Sequence, residues 1–152
     1  MPVIIIGADT EVGVAIVEAL LSRQGEVRVF VSNPDAAARL KRRGAKVALG
    51  DVSDGSHIGA AALSAFDAVL IAEAATDDRE LSFASDEAAV FAEWAEALSE
   101  AALQRAIWVG DGGVPEPIAA AVAESAAVNT TGRGPSDIAA EVARLDEAPT
   151  LG

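Results

Sequence analysis

The chain has no cysteine and no tyrosine, and aromatic residues make up only 4% of it. The absence of cysteine excludes disulfide bonds and thiolate metal sites. No apolar run approaches the roughly 20 residues that a membrane-spanning helix needs, and the opening apolar run, Val3–Ile6, is too short for the core of a signal peptide. We therefore expect a soluble, cytoplasmic protein.

Basic residues are also scarce. The chain has 11 lysines and arginines against 24 acidic residues, and its net charge is −13. Residues 1–50 hold seven basic and five acidic side chains, whereas residues 51–152 hold four basic and nineteen acidic ones. An acidic surface repels nucleic acids and anionic membranes, so we expect neither as a partner. The local basic run Arg39–Lys46 is either a solvated helix face or a rim that attracts phosphate.

What the chain does have is a hydrophobic content of 51% over 152 residues, which is typical of one globular domain, here residues 1–152. Short apolar runs alternate with segments that have apolar residues at helical spacing. The predicted strands are Val3–Ile6, Val27–Val31, Lys46–Leu49, Asp67–Ala72, Ala106–Val109 and Ala126–Val128. The predicted helices are Glu11–Arg23, Asp35–Arg43, residues 57–65, Ser85–Leu103, Ile118–Glu124 and Ser136–Leu145.

This alternation predicts an α/β fold, a doubly wound parallel sheet between two helical layers, with the Rossmann-like strand order 3-2-1-4-5-6. Ligands of such sheets bind at the carboxyl ends of the strands, where the strand order reverses between strands 1 and 4. We expect the loops after these strands to meet there. They are Gly7–Gly13, Ser32-Asn33, Asp51–Asp54 and Glu73–Thr76, with Gly110–Gly113 beside them.

The most informative segment is Gly7–Gly13, which joins the first predicted strand to the first predicted helix. A glycine turn at this place points backbone amides and a helix N-terminus at one spot, which suits a pyrophosphate. Loops of the spacing G-x-x-G-x-x-G have a third glycine at position 10, where this chain has threonine. The Cβ of Thr10 either crowds the approach to phosphate, in which case Thr10→Gly should bind tighter, or its hydroxyl caps the helix by accepting the amide of Gly13.

Four segments together resemble the NmrA-like proteins, which are atypical relatives of the short-chain dehydrogenases. They are Gly7–Gly13, Val27–Pro34, Arg43–Asp51 with its Gly-Asp pair after the third strand, and Arg105–Gly110. The resemblance implies an NAD- or NADP-binding fold, with the pyrophosphate beside Gly7 and Gly13 and the adenine near Asp51. The residues that it places around the dinucleotide are Gly7, Asp9, Thr10, Glu11, Val12, Gly13, Ser32, Asn33, Asp51, Val52 and Ala72.

The choice between NAD and NADP stays open. The family often has an arginine for the 2′-phosphate at the position of Ser32, and NAD-preferring relatives have an acid near there; this chain has neither. If the chain binds a dinucleotide as the resemblance implies, then Ser32, Asn33 or Arg42 could reach a phosphate of it. Asp9 and Glu11 add carboxylates near the dinucleotide, which solvent screens if they point outward.

The catalytic residues of short-chain dehydrogenases do not carry over. That family uses a tyrosine with a lysine four residues later and a serine after strand 5, but this chain has no tyrosine, and its lysines, Lys41 and Lys46, lie in the other half. Hydride transfer does not require a dedicated acid, because the cofactor carries the chemistry and the protein orients it. Glu73 and Asp111, at adjacent strand ends, are the candidate proton donors.

Other residues favour structural roles. His57 follows Asp51 and Asp54, and this short spacing is more typical of a helix start than of a metal site. Trp94 and Trp108 are expected in the core or at a helix interface. The segment Asp77–Glu80 is a hydrated loop or a lid.

Three functions remain open. The first is a dinucleotide-binding sensor or accessory protein, the second a small NAD(P)H-dependent reductase similar to flavin or biliverdin reductases, and the third a scaffold that associates without nucleotide. Residues 50–54 and 76–78 also look similar to the nucleotide-binding domain of potassium-uptake regulators, although Ser32 stands where that family has a ribose-binding acid. The helix 85–103 is a candidate homodimer surface.

Overall fold

The computed structural model describes residues 2–23, 25–75 and 82–151. Its strands are β1 (Val3–Ile6), β2 (Val27–Val31), β3 (Lys46–Leu49), β4 (Asp67–Ile71), β5 (Arg105–Gly110) and β6 (Glu124–Asn129). They form one six-stranded sheet in the order β3-β2-β1-β4-β5-β6, and all neighbouring strands are parallel. The predicted doubly wound fold and its strand order are confirmed.

Helices connect the strands and cover both faces of the sheet. They are α1 (Glu11–Leu21), α2 (Pro34–Arg42), α3 (Gly55–Ala61), α4 (Glu87–Glu100), α5 (Glu116–Ala120) and α6 (Pro135–Glu147), with a short 3-10 helix, Ala72–Ala75, directly after β4. Successive residues of a strand point to opposite faces of the sheet. Ile4 and Ile6 of β1 therefore lie in the core beneath α3, α4 and α5, whereas Val3 and Ile5 lie in the core beneath α1, α2 and α6.

Side-chain caps set the start of several helices, among them α2 and α3. Asn33 Oδ1 accepts a hydrogen bond from the amide of Ala36 at 3.0 Å, so its predicted role as the N-cap of α2 is confirmed. Asp54 Oδ1 accepts from the amide of His57 at 3.2 Å and begins α3. The predicted bounds 57–65 for that helix are wrong, because the cap at Asp54 starts the helix two residues earlier and the chain leaves it after Ala61.

The segment after β5 also differs from the prediction. The predicted helix Ile118–Glu124 is displaced, because Pro115 and Pro117 fix the backbone of an earlier first turn. Glu124 instead opens β6, where it pairs with Arg105 of β5. The predicted strand Ala126–Val128 is accordingly longer, since neighbour pairing extends it beyond its apolar residues.

Two smaller shifts in bounds affect the edge where ligands are expected. Ala72, predicted as the end of the fourth strand, begins the 3-10 helix. Gly110, predicted as the start of a loop, is the last residue of β5 and pairs with Asn129 of β6. The other predicted bounds differ from the observed ones by at most three residues.

The amino ends of β4 and β5 hold a buried ionic cluster at the edge of the sheet opposite to the glycine turn. Asp67 is 2% exposed and Arg105 is 3% exposed, and Arg23 Nε lies 2.7 Å from Asp146 Oδ2. Burial and a hydrogen bond with Asp146 raise the pKa of Asp67 to about 8, although Arg105 and Arg23 oppose the shift. Asp67 therefore keeps its proton to a higher pH than an unperturbed aspartate does.

Helix α4 packs its apolar face into the molecule's own core through Val90, Trp94, Ala97 and Leu98. Its outward positions Glu96, Ser99 and Glu100 are exposed and polar. Pairing of two chains through this helix stays a prediction.

The polar segment Thr76–Glu80, with its candidate lid Asp77–Glu80, lies outside the described residues. In the part of the chain that the structure does describe, no helix combines the length and the apolarity needed to cross a membrane.

Candidate functional site

The turn between β1 and α1 is built on two glycines. Gly7 has a φ of +89°, and a Cβ placed on it would lie 2.5 Å from the Cβ of Ala74. A Cβ on Gly13 would lie 2.6 Å from the carbonyl oxygen of Gly7. The first glycine permits the sharp turn, and the second allows α1 to pack directly against it.

Thr10, at the position where the spacing predicts a third glycine, caps α1. Its Oγ1 accepts a hydrogen bond from the amide of Gly13 at 3.0 Å and donates one to the carbonyl of Gly7 at 3.1 Å. The residue is only 7% exposed. The capping alternative is confirmed, and the hydroxyl is used inside the turn.

The first turn of α1 keeps donors available for an anion. The amide of Gly13 is used by Thr10, and the amide of Val14 donates to the carbonyl of Thr10 at 2.9 Å. The amides of Glu11 and Val12 have no hydrogen-bond partner among the described residues. Two donors at a helix N-terminus, next to a turn that only glycine fits, suit the pyrophosphate of a dinucleotide.

Asp9 extends from this turn to the end of β2. Its Oδ2 accepts hydrogen bonds from the amide of Ser32 at 3.0 Å, from the hydroxyl of Ser32 at 3.3 Å and from the amide of Asn33 at 3.2 Å. Asp9 thus does not point outward, and of the two carboxylates in the loop only Glu11 is exposed. The loops after β1 and β2 are joined by this one side chain.

The candidates for phosphate contact after β2 are separated by the structure. The side chain of Asn33 caps α2, and Ser32 bonds to Asp9. Arg42 lies in the last turn of α2, about 13 Å along the helix axis from its N-cap at 1.5 Å per residue. The basic run Arg39–Lys46 therefore extends away from the edge where the glycine turn lies, and contact of Arg42 with a phosphate stays a prediction.

Asp51 and Val52 hold the loop after β3 in place. Asp51 accepts hydrogen bonds from the amide of Ser53 at 2.8 Å and its hydroxyl at 2.6 Å, and from the amide of Ser82 at 2.8 Å. Partial burial raises the pKa of Asp51, but these hydrogen bonds outweigh it and hold the pKa below its usual value. The carbonyl of Val52 accepts from Trp94 Nε1 at 2.7 Å. Contact of Asp51 with adenine stays a prediction.

A cavity of about 510 Å³ opens next to the glycine turn, at the carboxyl ends of β4 and β5. Its lining includes Val12 of α1, Ala72 and Glu73 after β4, and the segment Gly110–Gly113 at the end of β5. Phe91 of α4 forms part of its wall. The sheet thus brings Ala72, Glu73 and Asp111 to one cavity.

Trp108 contributes an aromatic surface and a hydrogen-bond donor to this cavity. It is 3% exposed, and its ring packs edge-on against Phe91 at 4.7 Å between centroids. Its indole Nε1 has no hydrogen-bond partner among the described residues. A Cβ on Gly110 would lie 3.0 Å from this nitrogen, so any side chain at position 110 would crowd it.

Carboxylates surround the opening of the cavity. Glu73, Glu87 and Asp111 line it and are exposed, and its described lining contains no lysine, arginine or histidine. Solvent therefore reaches the two predicted proton donors, Glu73 and Asp111.

The contacts of His57 belong to packing and helix capping. Its ring packs edge-on against Phe30 at 5.0 Å between centroids, and its amide is bonded to the cap of α3. No group of three or more potential metal ligands occurs among the described residues.

The protein family that the chain matches agrees with the geometry of the glycine turn. A family model described as NAD(P)H-binding matches residues 7–144. The chain belongs to the NAD(P)H-binding family. The predicted cofactor class, NAD or NADP, is thereby confirmed, and the glycine turn has the amides and the close packing that such a cofactor requires.

Solved structures extend the comparison for this NAD(P)H-binding protein. An anaerobillin reductase from Escherichia coli O157:H7 is similar at a TM-score of 0.69 and 21% identity, covering 100% of this chain and 93% of that one. An NADPH-dependent quinone oxidoreductase from Escherichia coli, solved with NADPH, has a TM-score of 0.76 and 16% identity over 97% of this chain and 66% of that one.

A putative NAD-dependent epimerase/dehydratase from Bacillus halodurans gives a TM-score of 0.71 and 18% identity over 100% of this chain and 91% of that one. At such identities these similarities establish the fold and leave the reaction open. No curated protein sequence matches the chain.

Sequence reasoning missed part of the cavity wall. The sequence patterns indicate only a structural role for Trp108 and no role for Phe91 or Thr130, although all three line the cavity. The signal available for Trp108 and Thr130 was their position at the carboxyl ends of β5 and β6, where ligands of such sheets bind. Phe91 carries no such signal, because its contact depends on how α4 crosses the sheet.

Proposed function

We propose that this protein is a small NAD(P)H-dependent reductase that works by positioning its two substrates. The supporting observation is the cavity of about 510 Å³ that adjoins the glycine turn. A dinucleotide spans both halves of such a sheet, so its nicotinamide end would enter this cavity, where the Phe91 and Trp108 rings offer a wall for an acceptor. The bound dinucleotide supplies the hydride for the reduction.

The chain's own residues bind and orient. In this proposal the amides of Glu11 and Val12 hold the pyrophosphate. The acceptor molecule lies against the Phe91 and Trp108 rings, and the Trp108 indole N–H donates a hydrogen bond to an oxygen or nitrogen of that molecule. The proton that accompanies the hydride comes from solvent, Glu73 or Asp111 at the opening of the cavity.

The lining also selects a class of acceptor. Carboxylates at the opening and the absence of basic residues from the described lining disfavour anionic acceptors. Aromatic walls favour flat, apolar rings. We therefore expect reduction of neutral quinone-like acceptors and much weaker reduction of their sulfonated analogues.

The test is oxidation of NADH and NADPH in the presence of menadione, measured by absorbance. Trp108→Phe keeps the ring but removes the N–H, and we expect the KM for menadione to rise about tenfold, the equivalent of one hydrogen bond, with dinucleotide affinity unchanged. Gly110→Ala should raise the same KM, because the new Cβ would meet the indole nitrogen at 3.0 Å.

Gly113→Ala is the matched control for Gly110→Ala. Gly113 lines the same cavity, and a Cβ on it meets nothing within 4 Å. Its KM should stay at the wild-type value. An unchanged KM in both Trp108→Phe and Gly110→Ala would overturn the assignment of Trp108.

A dinucleotide-binding sensor is the second candidate, because the chain has no tyrosine and only two lysines, both within the first 50 residues. It predicts saturable dinucleotide binding without oxidation by quinones, flavins or aldehydes. Sustained turnover with any of these acceptors favours the reductase.

A further inference from the structure

We infer that this protein prefers NAD(H) over NADP(H), and that Asp9 is the residue that sets this preference. The inference rests on dinucleotide binding at the glycine turn, as in the proposed function. In doubly wound sheets, the loop after β2 faces the 2′ position of the adenosine ribose. An acidic side chain in that loop accepts a hydrogen bond from the 2′-hydroxyl of NAD, whereas an arginine there accommodates the 2′-phosphate of NADP.

The position after β2 is serine in this chain, but the structure supplies a carboxylate from another loop. Asp9 Oδ2 lies 3.0 Å from the amide of Ser32 and 3.2 Å from the amide of Asn33. Asp9 belongs to the glycine turn, so the acid reaches this place from β1 rather than from the end of β2. The usual sequence motif of NAD-binding proteins has its acid at the end of β2, so that motif does not reveal the carboxylate of Asp9.

Two physical effects act against a 2′-phosphate. The amides of Ser32 and Asn33, the donors that a phosphate would need at this loop, already donate to Asp9. The carboxylate also carries a negative charge, which opposes a dianion at short range. The 2′-hydroxyl of the NAD ribose, by contrast, favours the carboxylate of Asp9, because a hydroxyl donates a hydrogen bond to a carboxylate.

The basic residues of α2 do not compensate. Arg39, Lys41 and Arg42 lie in the last turn of that helix, whereas Asn33 caps its first turn beside Asp9. Arg43, directly after the helix, forms an ion pair with Glu18 of α1.

The experiment is calorimetric titration of the full chain with NADH and with NADPH at one ionic strength. We expect the wild-type Kd for NADPH to exceed that for NADH at least tenfold. Asp9→Asn keeps the size of the side chain and an acceptor oxygen but removes the charge, and should reduce this ratio at least fivefold by tightening NADPH. Glu11→Gln removes the neighbouring, exposed charge and should change both constants by a similar factor.

The possible results separate the role of Asp9 from dinucleotide binding itself. Equal affinities, tighter binding of NADPH, or an unchanged ratio in Asp9→Asn overturn the role of Asp9 while leaving the proposed reductase intact. Binding of neither dinucleotide overturns both. If Asp9→Asn does not fold, competition against NADH by AMP and by adenosine 2′,5′-bisphosphate measures the same preference in the wild type, and the bisphosphate should compete at least tenfold more weakly.

Discussion

At the scale of the residue, Thr10 stands where the glycine spacing predicts a third glycine, and its side chain has a role that glycine cannot have. Glycine at this position lets the backbone approach a ligand, whereas threonine ties the turn to the helix through hydrogen bonds to Gly7 and Gly13. The sequence alone left steric crowding and capping as equal alternatives, because both follow from a Cβ at position 10. The rotamer of the side chain, which the sequence does not give, shows the cap.

The cap makes a specific prediction for stability. Thr10→Ala loses both hydrogen bonds and should lower the free energy of unfolding by about 1–2 kcal/mol, whereas Thr10→Ser, which keeps the hydroxyl, should stay close to the wild type. Urea unfolding followed by circular dichroism measures both. Equal stability of the alanine and serine variants would show that the cap contributes nothing.

At the scale of the element, the site depends on how closely α1 packs on the turn after β1. Gly13 allows this contact, since a Cβ there would lie 2.6 Å from the carbonyl oxygen of Gly7 and 2.7 Å from the Cα of Ala8. Both neighbours are backbone, so a larger residue must move the helix rather than a flexible side chain.

Gly13→Ala should therefore weaken dinucleotide binding at least tenfold and reduce stability by roughly 1–3 kcal/mol, the usual cost of overpacking. Gly113→Ala, in open space, is the control and should bind as the wild type does. Calorimetric titration and thermal unfolding provide the two readouts. Wild-type affinity in Gly13→Ala would mean that α1 does not need its present position to hold the ligand.

Sequence patterns predicted the elements well where hydrophobic periodicity is strong. β1, β2 and β3 were predicted with the bounds that the structure has, because short apolar stretches end at glycine or polar residues there. The region after β5 was predicted less well, since its alanines fit a helix and a strand equally. The contact of Asp9 with Ser32 was beyond prediction, because it joins residues 23 positions apart through the geometry of two loops.

At the scale of the whole molecule, the buried cluster at the amino ends of the strands couples stability to pH. Burial holds the pKa of Asp67 at about 8 in the folded chain, against about 4 for an unperturbed aspartate. Between these values the folded protein binds one more proton than the unfolded chain does. The free energy of unfolding should therefore fall as the pH rises from about 4 to about 8, and level off above that.

This dependence is tested by urea unfolding between pH 5.5 and 8.5. Asp67→Asn removes the titrating group, so its stability should change less with pH than that of the wild type. Asp111→Asn, at an exposed position, should keep the wild-type dependence. A wild-type stability that rises over this range, or an unchanged slope in Asp67→Asn, would contradict the raised pKa of Asp67.

The central claim is that the turn Gly7–Gly13 holds a dinucleotide whose nicotinamide end meets an acceptor in the neighbouring cavity. The most direct measurement is a titration of the ¹⁵N-labelled protein with NADH, followed through its backbone amide resonances. The account predicts saturable shifts that are largest at Glu11, Val12 and Gly13 and extend to Gly110. Millimolar NADH that leaves these resonances unmoved, or that shifts only residues away from this edge of the sheet, would contradict it.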